Sequence, residues 1–294
     1  MKAKQRDLGL ALSGGGMLGI AHIGVLEVLE EHGIRPGIIT GTSAGGFVAA
    51  LYAAGIGADR LRRIAMELRR DDLFASNLSA GTFVLMLLQL FRDLVRMMNQ
   101  LPRGLLTGAR IRAYVDQCAG RKNIAQLAMP LGLVAVDLNT GNRVVFTNRF
   151  PAEPAPGTIY VREAPLGLAV QATTAIPGVF EPVSFKGMLL VDGGIAETVP
   201  VPLARQLGAR VVAAVNLSEK GIVAEPQGII QVMLRSVDVM YHHVGQYSLD
   251  GADLVINPPA VSAELGDFSR VGELLEGGRR ATLEALTALQ GLVR

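Results

Sequence analysis

The sequence has little cysteine, little aromatic character and little net charge. Cys118 is the only cysteine among the 294 residues, tryptophan is absent, and aromatic residues make up 5% of the chain. A single thiol forms no intrachain disulfide and rules out a cysteine-rich metal site. With 28 basic and 26 acidic residues, the net charge is +2. Because nucleic-acid-binding proteins are as a rule strongly basic, we expect no nucleic-acid partner.

Long hydrophobic runs are missing as well. The longest begins at Phe83 and, with Gln89 allowed, ends at Phe91, about half of the ~18 residues that span a bilayer. The apolar run Leu8–Leu12 is too short for the core of a signal peptide, and three glycines follow it closely. We therefore expect a cytoplasmic protein whose contact with a membrane, if it has one, is peripheral and at the inner face.

Hydrophobic residues and glycine are abundant. Hydrophobic residues make up 50% of the chain and charged residues 18%, a balance that excludes a disordered protein. The 35 glycines are about 12% of the chain, against a usual ~7%. They form no collagen-like repeat, so we expect them in tight turns and where two backbones approach closely.

The first 60 residues alternate between strand and helix patterns. Strands are predicted at Leu8–Leu12 and Ile38–Thr40, and helices at Ile20–His32 and Ala44–Ala54. This alternation is typical of βαβ units on a parallel sheet, and it predicts an α/β fold in one domain over residues 1–294. Further strands are predicted at Leu131–Val136, Val144–Thr147, Leu189–Val191, Val211–Val215 and Leu254–Ile256, and further helices at Leu166–Ala175, Pro202–Leu207, Ile229–Tyr247 and Phe268–Leu292.

Residues 57–112 interrupt that alternation with a helical insertion that is both basic and apolar. Helices are predicted at Ala58–Arg70 and Thr82–Asn99. Residues 60–112 carry ten arginines against four acidic residues, a net charge of +6. Two interpretations stay open, a solvated helical cover over the sheet and a lid or surface that contacts anionic lipid.

A glycine loop follows the first predicted strand and opens the first predicted helix. Backbone N–H groups at a helix N-terminus favour negative charge, so the loop suits a phosphate or an oxyanion. Its spacing matches the dinucleotide pattern G-x-G-x-x-G, but no carboxylate ends the second strand, where a nucleotide site needs one. An oxyanion hole or a simple tight turn are the other interpretations. The loop consists of Gly14, Gly15, Gly16, Met17, Leu18 and Gly19.

Two further glycine motifs carry reactive side chains. Gly41, Ser43 and Gly45 form a G-x-S-x-G pattern between a strand and a helix, where a sharp turn exposes a nucleophilic serine. Asp192, followed by Gly193 and Gly194, ends a predicted strand, and open α/β sheets place their sites at this edge. With the glycine loop, these motifs supply a nucleophile, a base and oxyanion donors for acyl transfer.

The identity of the base stays open on this pattern. A Ser–Asp–His order is available with His242 or His243, although both lie in the middle of a predicted helix. His22 lies just after the glycine loop and is more typical of a structural histidine. The remaining possibility is that Asp192 acts directly on Ser43, in which case we expect its carboxyl to be partly desolvated and within hydrogen-bond reach of the hydroxyl.

In this ordered set of motifs, the sequence resembles the bacterial patatin-like phospholipases, of the branch similar to the catalytic domain of neuropathy target esterase. The resemblance runs from about Leu8 to Asn257 and is weakest in residues 57–112. Two more segments support it: Ala172–Pro177 is similar to the family's A-S-x-A-x-P, and Asp137–Gly141 is also typical.

The resemblance implies a three-layer α/β/α fold with a central, mostly parallel sheet. It implies a Ser43–Asp192 dyad, an acyl-enzyme, and an oxyanion hole formed by Gly14, Gly15, Gly16 and Met17. The expected substrate is a phospholipid or another acyl ester, as in a phospholipase A, lysophospholipase or esterase, and no metal ion or organic cofactor is implied. A non-catalytic lipid-binding or regulatory protein, or an acyltransferase, are the alternatives.

Two departures from the family pattern bear on this hypothesis. Leu18 stands where the family usually has Arg or Lys. The loss of that cation would lower the positive potential near the oxyanion or a phosphate headgroup, and would weaken turnover or favour uncharged esters. Leu18 could instead contact acyl chains. Glu197 and Thr198 stand where the family often has Asn after the Asp-Gly-Gly motif, so the packing beneath the site is open at this point.

Overall fold

The computed structural model describes residues 7–76, 103–217, 225–226, 228–259, 261 and 267–293. The helix predicted at Thr82–Asn99 lies outside these residues. Everything that follows concerns the described parts of the chain.

Within the described residues, nine strands form the main sheet: β1 (Leu8–Leu12), β2 (Ile38–Thr42), β5 (Leu131–Asp137), β6 (Arg143–Thr147), β7 (Thr158–Val161), β9 (Val183–Phe185), β10 (Met188–Asp192), β11 (Val211–Val215) and β12 (Leu254–Ile256). The order of the central path is β12-β11-β1-β2-β5-β10-β9. The pairs β12–β11, β11–β1, β1–β2 and β2–β5 are parallel, which confirms the expected mostly parallel sheet.

β5 is the junction of this sheet. Its first residues pair with β2 in parallel, and its last residues pair with β10 in antiparallel, with Asp192 opposite Ala135 and Leu190 opposite Asp137. β6 pairs with β5 in antiparallel over Gly132–Val136, which overlaps both of the other pairings. β2 and β10 therefore share one edge of β5 end to end, and this arrangement brings the end of β10 beside the end of β2.

Helices cover both faces of the sheet, which confirms the three-layer α/β/α architecture. Side chains of β1 alternate between the layers: Leu8, Leu10 and Leu12 belong to one buried cluster and Ala11 to the other. The helices are α1 (Ala21–Glu31), α2 (Ser43–Ala53), α3 (Ala58–Glu67), α4 (Arg70–Leu73), α5 (Ala109–Ala119), α6 (Leu166–Thr173), α7 (Val201–Gln206), α8 (Ile229–Ser248) and α9 (Val271–Val293).

The described part of residues 57–112 is not purely helical, contrary to the prediction. β3 (Ala75–Ser76) and β4 (Gly104–Thr107) pair in antiparallel, and β4 pairs in parallel with β8 (Gly178–Phe180) to form a second, three-stranded sheet. The helix predicted at Ala58–Arg70 is divided, because α3 ends at Glu67 and α4 begins at Arg70. Short strands with no clear alternation of polar and apolar residues leave little signal in a sequence.

None of the helices within the described residues has the length and apolarity that a membrane crossing requires.

Candidate active site

Ser43 lies on a sharp turn between β2 and α2. Its φ of 54° is in the left-handed region, which a non-glycine residue occupies at a cost in backbone strain. A side chain at Gly45 would overlap the carbonyl oxygens of Leu12 and Ser13, so the turn packs directly on the end of β1. The close packing and the left-handed residue together define a tight turn at Ser43.

The end of α6 and the residues just after it connect Ser43 with Asp192. The Ser43 N–H donates to the Thr173 hydroxyl over 3.0 Å, and that hydroxyl donates to the Val134 carbonyl. Two residues later, the Ala175 carbonyl accepts a hydrogen bond from the Asp192 N–H over 2.9 Å. The sequence pattern singled out this segment as family-like but indicated no task for it; in the structure it sets the position of both residues.

Asp192 ends β10 and is completely buried, which goes further than the partial desolvation expected. Its Oδ1 accepts a hydrogen bond from the Gly194 N–H over 2.8 Å. Burial raises the pKa of Asp192 to about 7, although hydrogen bonding from the Ser43 side chain, the Gly194 N–H and the Tyr241 side chain acts in the opposite direction. Near neutral pH the carboxyl therefore exists in both protonation states.

The hydroxyls of Ser43 and Tyr241 face the Asp192 carboxyl in a looser geometry than the Gly194 N–H. At ordinary hydrogen-bond lengths and angles, Asp192 Oδ2 and Tyr241 Oη have no partner within the described residues. Both hydroxyls nevertheless interact with the carboxyl closely enough to lower its pKa. Catalytic hydrogen bonds are often long before substrate binds. The sequence did not predict a place for Tyr241 at this site, because a lone tyrosine in a helix, far along the chain from either motif, belongs to no recognisable pattern.

The structure does not assemble a Ser–Asp–His arrangement from His242 or His243. Both histidines are exposed on α8, and the His242 ring bonds the Gln246 side chain over 3.2 Å. His22 is buried and bonds the Ser13 carbonyl through Nε2 over 2.9 Å. Burial lowers the pKa of His22 to about 4, so the ring is neutral at pH 7 and supports the chain where the glycine loop begins.

The glycine loop lies against the Ser43 turn. A methyl group at Gly14 would lie 3.4 Å from the Ser43 Cβ, and Gly15 and Gly16 have φ values of 151° and 53°. A short 3-10 helix covers Gly16–Ile20, and the first N–H groups of such a helix have no partner within it. The prediction for Gly14 is wrong, because its N–H donates to the Thr198 carbonyl over 3.0 Å. The candidate oxyanion donors are therefore Gly15, Gly16 and Met17.

Glu197 and Thr198 account for the packing beneath the site. The Glu197 carbonyl accepts from the Thr42 hydroxyl over 2.8 Å, while the Glu197 carboxylate pairs with Arg143 and accepts from the Leu203 N–H. Because the Thr198 carbonyl holds Gly14, this segment joins the glycine loop to the Ser43 turn. Despite this departure from the family pattern, hydrogen bonds connect Glu197 and Thr198 with both the Ser43 turn and the glycine loop.

An apolar cavity of about 110 Å³ opens beside Ser43. α3 and α4 form much of its wall, through residues such as Leu61, Ile64 and Leu73, although the sequence indicated only a cover or a membrane surface for this segment. Leu18 does not line the cavity; it packs with Val261 and Leu274 in a small separate cluster, so the suggested contact with acyl chains is not supported. The cavity wall is therefore largely apolar, and Ser43 is part of its lining.

The fold and the site together define a class of protein: a three-layer α/β protein with a serine on a strand–helix turn, a buried aspartate beside it and an apolar cavity next to both. Residues 10–205 match the sequence profile of the family described as patatin-like phospholipase. The chain belongs to the patatin-like phospholipase family.

Individual relatives agree with this assignment. An uncharacterized NTE family protein of Mycobacterium tuberculosis is 32% identical over 219 residues, covering 74% of this chain and 50% of that protein. Patatin-like phospholipase domain-containing protein 6 of Mus musculus is 27% identical over 215 residues, covering 72% of this chain and 14% of that protein. The chain thus spans half the length, or less, of these curated relatives.

Among solved structures, VipD from Legionella pneumophila has a similar fold. Its TM-score is 0.50 at 16% sequence identity, and the alignment covers 95% of this chain and 66% of VipD. At this level of identity the likeness concerns the fold alone.

Proposed function

We propose that this protein is a lipid acyl-ester hydrolase of the phospholipase A, lysophospholipase or esterase type. The observation that carries the proposal is the strained Ser43 turn facing a completely buried Asp192, at the mouth of an apolar cavity. Membership of the patatin-like phospholipase family supports a lipid substrate. Peripheral contact with the cytoplasmic face of a membrane would bring such substrates to the cavity.

In the proposed first step, Ser43 Oγ attacks the ester carbonyl carbon and Asp192 takes the hydroxyl proton. The negative charge that develops on the carbonyl oxygen is stabilised by the N–H groups of Gly15, Gly16 and Met17. The C–O bond to the alcohol then breaks, and the alcohol leaves with the proton from Asp192. An acyl-enzyme on Ser43 remains, with the acyl chain in the apolar cavity.

In the second step, a water molecule attacks the acyl-enzyme while Asp192 accepts its proton. The bond to Ser43 breaks, the serine oxygen recovers the proton, and the free acid leaves. A carboxylate with an ordinary pKa is a weak base, but burial brings the pKa of Asp192 to about 7, close to the value that serves a general base at neutral pH. No histidine is needed for either step.

The experiment measures hydrolysis of a series of p-nitrophenyl esters, from short to long acyl chains, by the wild type, Ser43→Ala and Asp192→Asn. We expect each substitution to lower kcat by at least about 10³-fold, because the two groups act as a unit. The matched control is His242→Ala/His243→Ala, which we expect to keep wild-type activity.

Activity that survives Ser43→Ala would overturn the assignment of the nucleophile, and activity lost in the double histidine variant would favour a Ser–Asp–His mechanism. A folded wild type without turnover but with bound lipid would support a non-catalytic lipid-binding protein. Product analysis with and without an added alcohol or lysolipid distinguishes a hydrolase from an acyltransferase.

A further inference from the structure

Tyr241 of α8 lies directly against the turn that holds Asp192. A side-chain carbon at Gly194 would meet the Tyr241 ring at 2.8 Å, so the ring packs on the Gly194 backbone, whose N–H donates to Asp192 Oδ1. The Thr198 hydroxyl lies 3.1 Å from both the Gly194 and the Tyr241 carbonyl oxygens. This bridge anchors the helix to the turn and holds the ring in place.

The side chains of Asp192 and Tyr241 each have one buried polar atom without a partner at ordinary hydrogen-bond geometry among the described residues. The two atoms are Asp192 Oδ2, an acceptor, and Tyr241 Oη, which carries a proton it can donate. A buried polar group without a hydrogen-bond partner destabilises the folded state, typically by about 1–3 kcal/mol, so native structures contain few of them. A small movement of the ring or the carboxyl would let each satisfy the other.

We propose that Tyr241 is a positioning residue for Asp192, and that its hydroxyl donates a hydrogen bond to Oδ2 of the charged carboxylate. With Gly194 holding Oδ1 and Tyr241 holding Oδ2, the carboxylate is fixed in the orientation that receives the Ser43 proton. Tyr241 keeps its own proton throughout, and no bond to it forms or breaks. This inference rests on the proposed function, in which Asp192 is the base.

The surrounding charges are compatible with this task. Burial, followed by the charges of Asp192 and Asp238, raises the pKa of Tyr241 well above the ordinary value, so its hydroxyl remains a donor at every working pH. Asp192 itself interacts with Ser43, Gly194 and Tyr241. Of the titratable side chains on the neighbouring segments, Glu197 is paired with Arg143, and His242 and His243 of α8 are exposed.

Tyr241→Phe, which removes only the hydroxyl, tests the proposal through the pH dependence of kcat/KM. Loss of a donor to the carboxylate disfavours its charged form, so we expect the rising limb of the profile to move up by about one pH unit. The plateau at high pH should stay within about threefold of the wild type, since the base is then fully ionised. Tyr247→Phe, on the exposed part of the same helix, is the matched control and should leave the profile unmoved.

A uniform drop in activity with no shift would mean that Tyr241 is merely structural, and an unchanged profile would mean that its hydroxyl does not reach Asp192. Either result overturns the proposal. A second measurement does not depend on activity: the change in unfolding free energy caused by Asp192→Asn, followed from about pH 5 to about pH 9 with Tyr241 or with Tyr241→Phe. In the Tyr241→Phe background, the change in unfolding free energy caused by Asp192→Asn should level off at a higher pH, and this holds even if the protein hydrolyses no ester.

Discussion

Ser43 and Asp192 are each held in a state that opposes folding. A left-handed backbone at a non-glycine residue costs roughly 1–2 kcal/mol, and a carboxyl without exposure to water loses its hydration. Thr173 and Gly194 hold these states by hydrogen bonds to Ser43 N–H and Asp192 Oδ1. Strain and burial of this kind, maintained by surrounding bonds, are typical of functional sites.

Replacing Asp192 should therefore stabilise the protein in a pH-dependent manner. With a pKa of about 7 in the folded state and an ordinary one unfolded, the folded carboxyl keeps a proton that the unfolded one loses. The carboxyl thus lowers the free energy of unfolding progressively as the pH rises from about 4 through about 7, by on the order of 4 kcal/mol above this range. We expect Asp192→Asn to be more stable than the wild type at about pH 8, with little gain near pH 4.

Urea denaturation of both proteins at the two pH values measures this difference. The comparison cancels groups that titrate alike in both, such as His22, whose lowered pKa makes the fold less stable as the pH falls below about 6.5. An equal gain at both pH values would contradict the raised pKa of Asp192.

The candidate dyad was open to prediction because each of its members stands inside a glycine motif at the end of a strand. Gly14 was assigned wrongly because a motif does not reveal that Thr198, far along the chain, accepts its N–H. Tyr241 packs on Gly194, and Thr173 accepts a hydrogen bond from the Ser43 N–H, through contacts across the fold that neither residue type nor spacing predicts. Residues in local motifs could therefore be predicted from the sequence, whereas residues whose contacts lie far along the chain could not.

Among the elements, buried strands were the easiest to predict. The bounds of Leu8–Leu12 and Val211–Val215 are confirmed, because apolar runs between polar or glycine residues mark a strand covered on both faces. The bounds of Leu254–Ile256 are confirmed as well, because all three of its residues are apolar although the strand is only partly buried. Thr158–Val161 and Gly178–Phe180 were missed, since they are short and only partly buried. The double pairing along one edge of β5 follows from tertiary packing, which no local periodicity encodes.

α3 provides an element-level test of the cavity. Ile64 lines the cavity and is half-buried, whereas Met66 on the same helix is 59% exposed. Ile64→Phe adds volume within the cavity, so we expect kcat/KM for laurate esters to fall about tenfold or more and that for butyrate esters to change little. Met66→Phe is the matched control, and both variants are assayed on the same series of p-nitrophenyl esters. Equal losses on short and long esters would show that the cavity does not hold the acyl chain.

At the scale of the whole molecule, the main sheet draws its strands from both ends of the chain. β11 and β12 lie beyond residue 205, where the family match ends, yet β11 pairs with β1 along its full length. α9 packs on α1 so closely that a side chain at Gly24 would overlap the Leu275 carbonyl. We propose that residues 1–294 form a single domain, because the last third of the chain completes both the sheet and, through Tyr241, the site.

The exposed surface of α3 and α4 is the region through which the protein would contact a lipid surface. α3 and α4 form the cavity wall on their inner side. They also expose Arg60, Arg70 and Met66, alongside the acidic residues Asp59, Glu67, Asp71 and Asp72. Cations beside an exposed apolar side chain suit the surface of an anionic membrane. A lipid could then pass from the bilayer into the cavity without crossing water, which is the physical reason to expect the docking face here.

We expect Arg60→Glu/Arg70→Glu to lower the affinity for vesicles containing phosphatidylglycerol by about tenfold or more, since each basic residue near an anionic surface contributes about 1 kcal/mol. The control, Arg35→Glu/Arg210→Glu, makes the same change in charge at exposed residues that precede β2 and β11, at the sheet edge opposite Ser43. Vesicle co-sedimentation at low and high salt measures both, and screening should reduce the difference. Equal losses in the two variants would mean that net charge alone drives binding, and would remove α3 and α4 as the docking face.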